Sequence, residues 1–399
     1  MKKISIIDFA DSNATSKELS QISLNLSNKC KDKYVFQNYE ESKAKIDNYF
    51  NSLRSFIFKT ELLPKIVKYV YILLHATFYS DILMVKGVKA SFYFPILNLF
   101  FRKKIILLVN GFDVRLSQSK TICTFFFEIR KYVAFNFSHK IITSNQFIQD
   151  YLQAKYNLKV DLIEQGGNHV NHIESTSLDH NYHPFLKYMY AVSYFNNEND
   201  NHIEIVLDSF KKFKNMYIVI IGDWKKTNRG IYLKNKFAGY SNIYMINPYT
   251  IEREMDLIIS NSILYIHSSS LSNDSLPLIE AMSLKLPVLA FESIDNKYLT
   301  EGKASYFKNR EDVHYFLDNL NMEKLRKNSF EMSDIALKRF TWSNLASSYE
   351  LVIDKLLIFN NNKFLLFYFK ISHYVISQNK FLYLKSRFPV FKTILNFFL

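Results

Sequence analysis

The sequence contains little cysteine, glycine or proline, with 2, 8 and 7 residues respectively among 399. Its two cysteines, Cys30 and Cys123, are far apart and belong to no Cys-x-x-Cys or Cys-x-x-His pair. This excludes a disulfide framework, a zinc knuckle and an iron–sulfur cluster, and a reducing compartment is the simplest setting. No Gly-x-Gly-x-x-Gly follows any predicted strand, so a dehydrogenase is not expected.

Long apolar runs are also missing. The basic N-terminal segment has only about seven apolar residues before its acidic residues, too few for the apolar region of a signal peptide. Residues 66–85 are interrupted by charged residues and histidine, and the apolar run at 90–101 is short. Neither provides the roughly 20 consecutive apolar residues of a transmembrane helix, so we expect a cytoplasmic or membrane-peripheral protein.

What the chain does contain is typical of a folded protein of two to three domains. Hydrophobic residues make up 48% and charged residues 22%, close to globular averages. The net charge of +14 indicates an anionic partner, which could be nucleic acid, an anionic membrane surface or a phosphorylated small ligand. No nucleic-acid-binding motif accompanies the charge, so we expect no nucleic-acid partner.

Short apolar runs rich in β-branched and aromatic residues alternate with stretches of helical period. They predict strands at 4–9, 81–85, 104–109, 140–144 and 160–164, then at 188–195, 216–222, 243–246, 263–267 and 287–291. Strands that are apolar throughout and separated by helices indicate parallel sheets covered on both faces. The expected fold class is therefore α/β, with two doubly wound, Rossmann-like domains.

Residues 169–187 lack an apolar period and predict an interdomain linker. We assign residues 1–185 to the first domain, 186–345 to the second, and 346–399 to a C-terminal tail. Four of the rare glycines each directly follow a predicted strand: Gly111, Gly166, Gly167 and Gly222. Ligands of open α/β sheets bind at the carboxyl ends of strands, so the cleft between the domains is the expected site.

The most informative segment is residues 267–292, which predicts a strand, a polar loop, a helix and a strand. The helix begins near residue 276, because Pro277 suits a first turn and Asp274 or Ser275 suits the N-cap. One apolar stripe follows: Leu278, Ile279, Met282 and Leu286. A helix start binds phosphate through its unpaired N–H groups, and Glu280 would present a carboxylate to ligand hydroxyls. The pattern predicts a nucleotide-diphosphate site.

The run LPLIEAMSLKLPVLAF, residues 276–291, resembles the signature of the family 4 retaining glycosyltransferases, Leu-Pro-x-x-Glu-Ala-Met followed by Pro-Val-Ile-Ala. The resemblance implies a GT-B fold with two domains facing across a cleft. In that family, two glutamates contact the donor, one on the sugar and a later one on the nucleotide ribose. Glu280 matches the ribose position, whereas Ser272 stands at the sugar position.

A narrower resemblance is to bacterial rhamnosyltransferases of capsule and O-antigen (lipopolysaccharide) synthesis, in which the segment from His267 to Glu280 has the same length. Four further stretches agree: 83–97, 108–120, 141–156 and 164–170. Together the resemblance covers about residues 80–340 and implies a hexosyltransferase that needs no metal ion. The absence of any Asp-x-Asp motif is consistent with this.

From the helix start and the resemblance together, we expect these residues to contact the donor: Tyr194, Lys225, Lys226, His267, Ser272, Asn273, Asp274, Ser275, Leu276 and Glu280. Tyr194 stands where the family usually has an arginine for the diphosphate, and Lys225, Lys226 or Arg229 could supply that charge. The same basic residues equally suit a solvated surface. His267 at its strand end equally suits a structural role.

On the acceptor side, residues 110–115 follow a strand of the first domain and would face the cleft. We expect Asn110, Gly111, Asp113 and Arg115 to contact the acceptor, with Asp113 and Glu280 as the catalytic pair. Asp113 would orient the acceptor hydroxyl or the donor sugar, and Arg115 would meet an acceptor phosphate. Asn110 and Asp113 also suit a simple turn beside Gly111.

Residues 355–399 contain seven Lys and Arg residues and no acidic residue, interleaved with Phe, Tyr and Leu. This composition suits an anionic membrane surface or packing onto the first domain. We therefore expect transfer of rhamnose or another hexose, with retention, from a dTDP- or UDP-linked donor to a lipid-linked oligosaccharide. It would occur at the cytoplasmic face of the inner membrane. The alternative is a degenerate, non-catalytic GT-B protein that binds a sugar or a partner.

Overall fold

The computed structural model describes residues 2–8, 13–38, 74–88, 93–99, 101–109, 122–195, 202–248, 252–270 and 275–358. Two six-stranded parallel sheets follow each other along these residues. The first contains β1 Lys2–Asp8, β2 Tyr34–Asn38, β3 Ile82–Lys86, β4 Lys104–Val109, β5 Lys140–Thr143 and β6 Asp161–Leu162. The second contains β7 Tyr190–Phe195, β8 Tyr217–Gly222, β9 Ile243–Ile246, β10 Leu264–His267, β11 Val288–Phe291 and β12 Ser305–Phe307.

Helices connect the strands and cover both sheets. Those in the first half of the chain are α1 Asn13–Lys29, α2 Phe94–Leu99, α3 Ile122–Phe137 and α4 Gln146–Tyr156. The second half contains α5 Ser177–Tyr182, α6 His202–Lys212, α7 Asn228–Phe237, α8 Glu252–Ser260, α9 Ser275–Ser283, α10 Ile294–Leu299, α11 Arg310–Asp318, α12 Met322–Arg339 and α13 Trp342–Ile358. Residues 74–79 are also helical, and Pro184–Lys187 form a 3-10 helix.

Both sheets have a doubly wound strand order, as the sequence predicts. The first runs β2-β1-β3-β4-β5-β6 and the second β12-β11-β10-β7-β8-β9. The order reverses between β1 and β3 in the first sheet and between β7 and β10 in the second. Such topological switch points open a crevice at the carboxyl ends of the strands, where ligands bind in this class of fold.

The strands are apolar because both faces of each sheet are covered. All five residues of β3 and all four of β10 are buried, and four apolar clusters fill the layers between sheets and helices. Burial on both faces removes the alternation of polar and apolar residues seen in half-exposed strands. The expectation of two parallel, doubly covered sheets is confirmed.

The chain crosses between the two halves twice. Residues 163–190 form the first crossing, and the segment predicted as a linker packs onto the second half, where Phe185 is buried in the core. The second crossing occurs at the start of α13, which returns to cover the first sheet with residues such as Leu345 and Ile353. Of the predicted C-terminal tail, residues 359–399 lie outside the described residues.

Within the described ranges, no helix combines the length and the apolar character needed to cross a bilayer.

Candidate active site

The switch point of the second sheet lies between the ends of β7 and β10, and α9 begins a few residues after β10. The sequence predicts a helix start near residue 276, and the helix starts at Ser275. Leu278, Ile279 and Met282 are buried, so this apolar face anchors the helix against the sheet. The N-terminus of α9 is therefore held rigidly near the carboxyl end of β10, with its first N–H groups free of intrahelical partners.

Glu280 is buried, with only 9% of its side chain exposed. Its Oε1 lies 3.0 Å from Nε2 of His169, a residue of the first crossing. A buried carboxylate without a partner would cost several kcal/mol, so the imidazole contact helps to keep Glu280 in place. A carboxylate held at this point can accept hydrogen bonds from ligand hydroxyls through its other oxygen.

His267, the last residue of β10, is fully buried. Burial disfavours the charged imidazolium and lowers its pKa to about 4, so the ring is neutral at physiological pH. Its Nδ1 lies 3.3 Å from the hydroxyl of Tyr265, while its Nε2 has no hydrogen-bond partner in the described part of the chain. A neutral imidazole here can exchange hydrogen bonds but cannot supply positive charge to a phosphate.

Three hydrogen bonds hold the helix start and the residues directly after β10 and β11. The Ser275 hydroxyl donates to Oε1 of Gln165, which ties α9 to the first crossing. The Asn296 side-chain amide donates to the carbonyl oxygens of Ser269 and Phe291, which ties the residues directly after β10 to the end of β11. Leu276 lies beside Ser275 and is half-buried.

The other predicted donor residues are spread around the same edge. Tyr194, near the end of β7, lies with its ring 6.5 Å from that of Tyr265. Lys225 and Lys226 are exposed in the loop after β8. Arg229 lies 3.6 Å from Glu204 of α6, so its charge is already directed to a protein carboxylate.

Seven of the predicted site residues lie outside the described residues: Asn110, Gly111, Asp113, Arg115, Ser272, Asn273 and Asp274. Their assignments remain predictions from the sequence.

Sequence reasoning did not select three residues that the structure places at the cleft: Lys86, Gln165 and His169. Lys86 ends β3 at the switch point of the first sheet and is 5% exposed. Together with Thr143, Ser144 and Gln165, it lines a small depression at the carboxyl ends of β3, β4 and β5. A lysine that closes an apolar strand run is a usable signal for this position, whereas nothing near His169 in sequence indicates its contact with Glu280.

Comparisons with known proteins bear on the fold. No protein-family model and no curated protein matches the sequence. Among solved structures, HepE of Anabaena in complex with UDP-glucose is similar, with a TM-score of 0.67 and 14% identity over 89% of this chain and 100% of that one. Sucrose-phosphate synthase of Thermosynechococcus elongatus gives a TM-score of 0.69 at 11% identity, covering 90% and 99%.

A glycosyltransferase from Rickettsia africae gives a TM-score of 0.66 at 11% identity, again covering 90% of this chain and 99% of that one. At these low identities the likeness concerns the fold. The chain has the GT-B fold, with two Rossmann-like halves facing across a cleft.

Proposed function

We propose that this protein is a glycosyltransferase that uses a nucleotide-diphosphate sugar. The observation that carries the proposal is the buried Glu280 carboxylate, held beside His169 next to the N-terminus of α9 at the second switch point. A helix start suits a diphosphate, and a fixed carboxylate nearby suits ribose hydroxyls. Both features belong to α9, which begins beside the second switch point.

The donor we propose is dTDP-rhamnose or a UDP-linked hexose. The motif around Glu280 supports this assignment through its resemblance to family 4 and to rhamnosyltransferases, and HepE, a neighbour in fold, was solved with UDP-glucose. Ser272 in place of a sugar-binding glutamate, and Tyr194 in place of an arginine, would alter contacts to the sugar and the diphosphate. These two departures therefore make the sugar the main unknown in donor choice.

In the proposed reaction, the bond between the anomeric carbon and the leaving phosphate oxygen breaks. A bond from that carbon to the acceptor oxygen forms on the same face, so the configuration is retained, and the acceptor proton passes to the leaving phosphate. The N–H groups at the start of α9 and a nearby cation, Lys225 or Lys226, stabilise the developing negative charge without a metal ion. Asp113 would orient the acceptor hydroxyl or the donor sugar.

For the acceptor, we propose a lipid-linked oligosaccharide at the cytoplasmic face of a membrane, as in capsule or O-antigen synthesis. The net charge of +14 and the basic, aromatic residues 355–399 support an anionic surface nearby. At the first switch point, we propose that Lys86 shares its positive charge with a lipid diphosphate in addition to its protein partner. The same features support the proposal of a membrane-peripheral location.

The experiment that tests the donor site is thermal unfolding of the purified protein with UDP, GDP, dTDP and their sugars. A ligand that binds only the folded state raises the melting temperature by mass action. We expect one nucleotide to raise it, and Glu280→Gln to remove that rise. Glu311→Gln is the matched control, since Glu311 is an exposed carboxylate in the first turn of α11.

Sugar transfer or hydrolysis of the nucleotide sugar that binds would then separate an enzyme from the alternative. The alternative is a degenerate GT-B protein that binds a sugar or a partner, which the changes at Ser272 and Tyr194 motivate. Release of free nucleotide above the rate of the Glu280→Gln variant would exclude it. Nucleotide binding without any turnover, across dTDP-, UDP- and GDP-sugars, would favour it.

A further inference from the structure

We infer that His169 is a positioning residue for Glu280 and that Trp342 sets the tautomer of its ring. The three side chains come from three separate places: the first crossing, helix α9 and the start of α13. The carboxylate proposed to bind the ribose would then be oriented by both points at which the chain passes between its halves. This inference rests on the proposed function.

The first step concerns the proton on the imidazole of His169. The indole Nε1 of Trp342 lies 3.2 Å from Nδ1 of His169 and donates a hydrogen bond to it. An indole N–H can only donate, so Nδ1 must carry the lone pair, and the neutral ring must carry its proton on Nε2. This is the nitrogen that lies 3.0 Å from Oε1 of Glu280.

The second step concerns the strength of the contact with Glu280. Nε2 of His169 is buried and makes no well-aligned hydrogen bond to another group among the described residues. Its N–H therefore meets the carboxylate of Glu280 at hydrogen-bond distance but out of line. With 11% of His169 and 9% of Glu280 exposed, water screens this attraction little.

The third step is that the backbone around His169 cannot shift easily. A Cβ on Gly167 would lie 2.5 Å from Cγ2 of Ile279, so α9 packs directly on the backbone of the first crossing. The N–H of Gly167 donates to the carbonyl of Phe340, and Oδ1 of Asn168 accepts from the N–H of Trp342, both at 2.9 Å. The distance between His169 and Glu280 is thus set by close packing on both sides.

Glu280 has two carboxylate oxygens, and the imidazole engages one of them. The other keeps its direction because rotation of the carboxylate would break the contact with Nε2. His169 would therefore act on donor affinity without touching the donor. Loss of the imidazole should raise the KM for the nucleotide sugar more than it lowers kcat.

The test measures UDP and dTDP binding by titration calorimetry in the full chain. We expect His169→Ala to weaken binding about tenfold, near the lower end of the range for a hydrogen bond to a charged group, because the contact is out of line. His169→Gln, whose amide N–H can stand in for Nε2–H, should recover most of the loss. Combined with Glu280→Gln, His169→Ala should add almost nothing, because the two residues act through one interaction.

A second readout is the tautomer of His169, seen in the nitrogen chemical shifts of the histidine-labelled protein. The native protein should show the Nε2–H form, and Trp342→Phe, which keeps an aromatic ring but loses the donor, should shift the population toward Nδ1–H. The unfolding temperature of each variant would reveal any general loss of structure.

Two results would overturn the inference while leaving the proposed function in place. One is native-like nucleotide affinity in a folded His169→Ala protein, and the other is an Nδ1–H tautomer in the native protein. If the native protein binds neither nucleotide, the proposed function fails and this inference fails with it.

Discussion

The carboxyl edges of the two sheets carry different functional groups. The edge of the second sheet presents a helix start, serine hydroxyls, a neutral histidine and one held carboxylate. The edge of the first sheet presents Lys86 beside Thr143 and Ser144. Backbone N–H groups with a hydroxyl-binding carboxylate suit a nucleoside diphosphate, while a buried cation suits an anionic acceptor. On the proposed function, each edge therefore binds one of the two substrates.

The two carboxyl edges are connected through the two crossings of the chain. The first crossing meets the second edge through Gln165 and His169, and the second crossing returns to the first half through α13. A change at the crossings should therefore disturb both edges. A change within one edge should leave the other intact.

The largest loss of stability should come from Gly166→Ala, because Gly166 of the first crossing packs against Trp342 of the second. A Cβ at this position would lie 2.6 Å from Cδ2 of Trp342 and 2.7 Å from its backbone nitrogen. The backbone atom cannot give way cheaply, so we expect a loss of about 3 kcal/mol in the free energy of unfolding. Gly239→Ala is the control, because no atom lies within 4 Å of its added Cβ. Equal denaturation midpoints for the two variants would contradict the close packing of Gly166 against Trp342.

The next effect concerns acid stability at the second edge. Since burial lowers the pKa of His267 from 6.5 to about 4, the neutral ring stabilises the fold above pH 6.5. That contribution is lost as the pH falls from 6.5 toward 4, by on the order of 3 kcal/mol at about 1.4 kcal/mol per unit. His267→Asn, which can still meet Tyr265, should flatten this part of the stability profile. An unchanged slope would mean that other groups cause the acid sensitivity.

Lys86→Met tests whether the first edge binds the acceptor while the second edge binds the donor. If Lys86 serves the acceptor, the variant should bind the donor nucleotide normally and need about tenfold more diphosphate-containing acceptor for half-maximal rate. Steady-state kinetics with a lipid-diphosphate saccharide would measure this, with Lys103→Met as a control in the turn before β4. Weaker nucleotide binding in Lys86→Met would instead assign the lysine to the donor.

The smallest change in stability should come from substitution of Asp295, in the first turn of α10. Burial raises the pKa of its carboxyl, and a hydrogen bond with Asn145, the N-cap of α4 in the first half, only partly opposes this. The ionised form therefore costs stability as the pH rises above the usual aspartate range. Asp295→Asn should raise the melting temperature slightly at pH 7 and hardly at all near pH 4. A lower melting temperature at pH 7 would show that the charge itself is needed.

Most of this fold could be predicted from the sequence because strands that are buried on both faces are apolar along their whole length. Of the twelve strands in the described residues, ten were predicted as apolar runs, but β2 and β12 were not. Both are edge strands of their sheets, and β12 has only three residues, so neither needs a long apolar run. The start of α9 was predicted to within one residue, since Pro277 and the apolar stripe define it locally.

The site was less predictable because its decisive contacts join distant parts of the chain. Glu280 was selected from its own motif, whereas its partner His169 lies in the matching stretch 164–170, at the start of the predicted linker, and was given no role there. Trp342 carries no local sign that its indole meets an imidazole of the first crossing. Tertiary pairs of this kind follow from the fold and not from spacing along the chain.

The most direct test of the nucleotide site is hydrogen–deuterium exchange with the nucleotide that gives the strongest thermal shift. We expect slower exchange in peptides covering residues 264–283, with residues 82–88 and 104–109 unchanged, and no protection in Glu280→Gln. Protection confined to the first edge, or equal protection in Glu280→Gln, would contradict it.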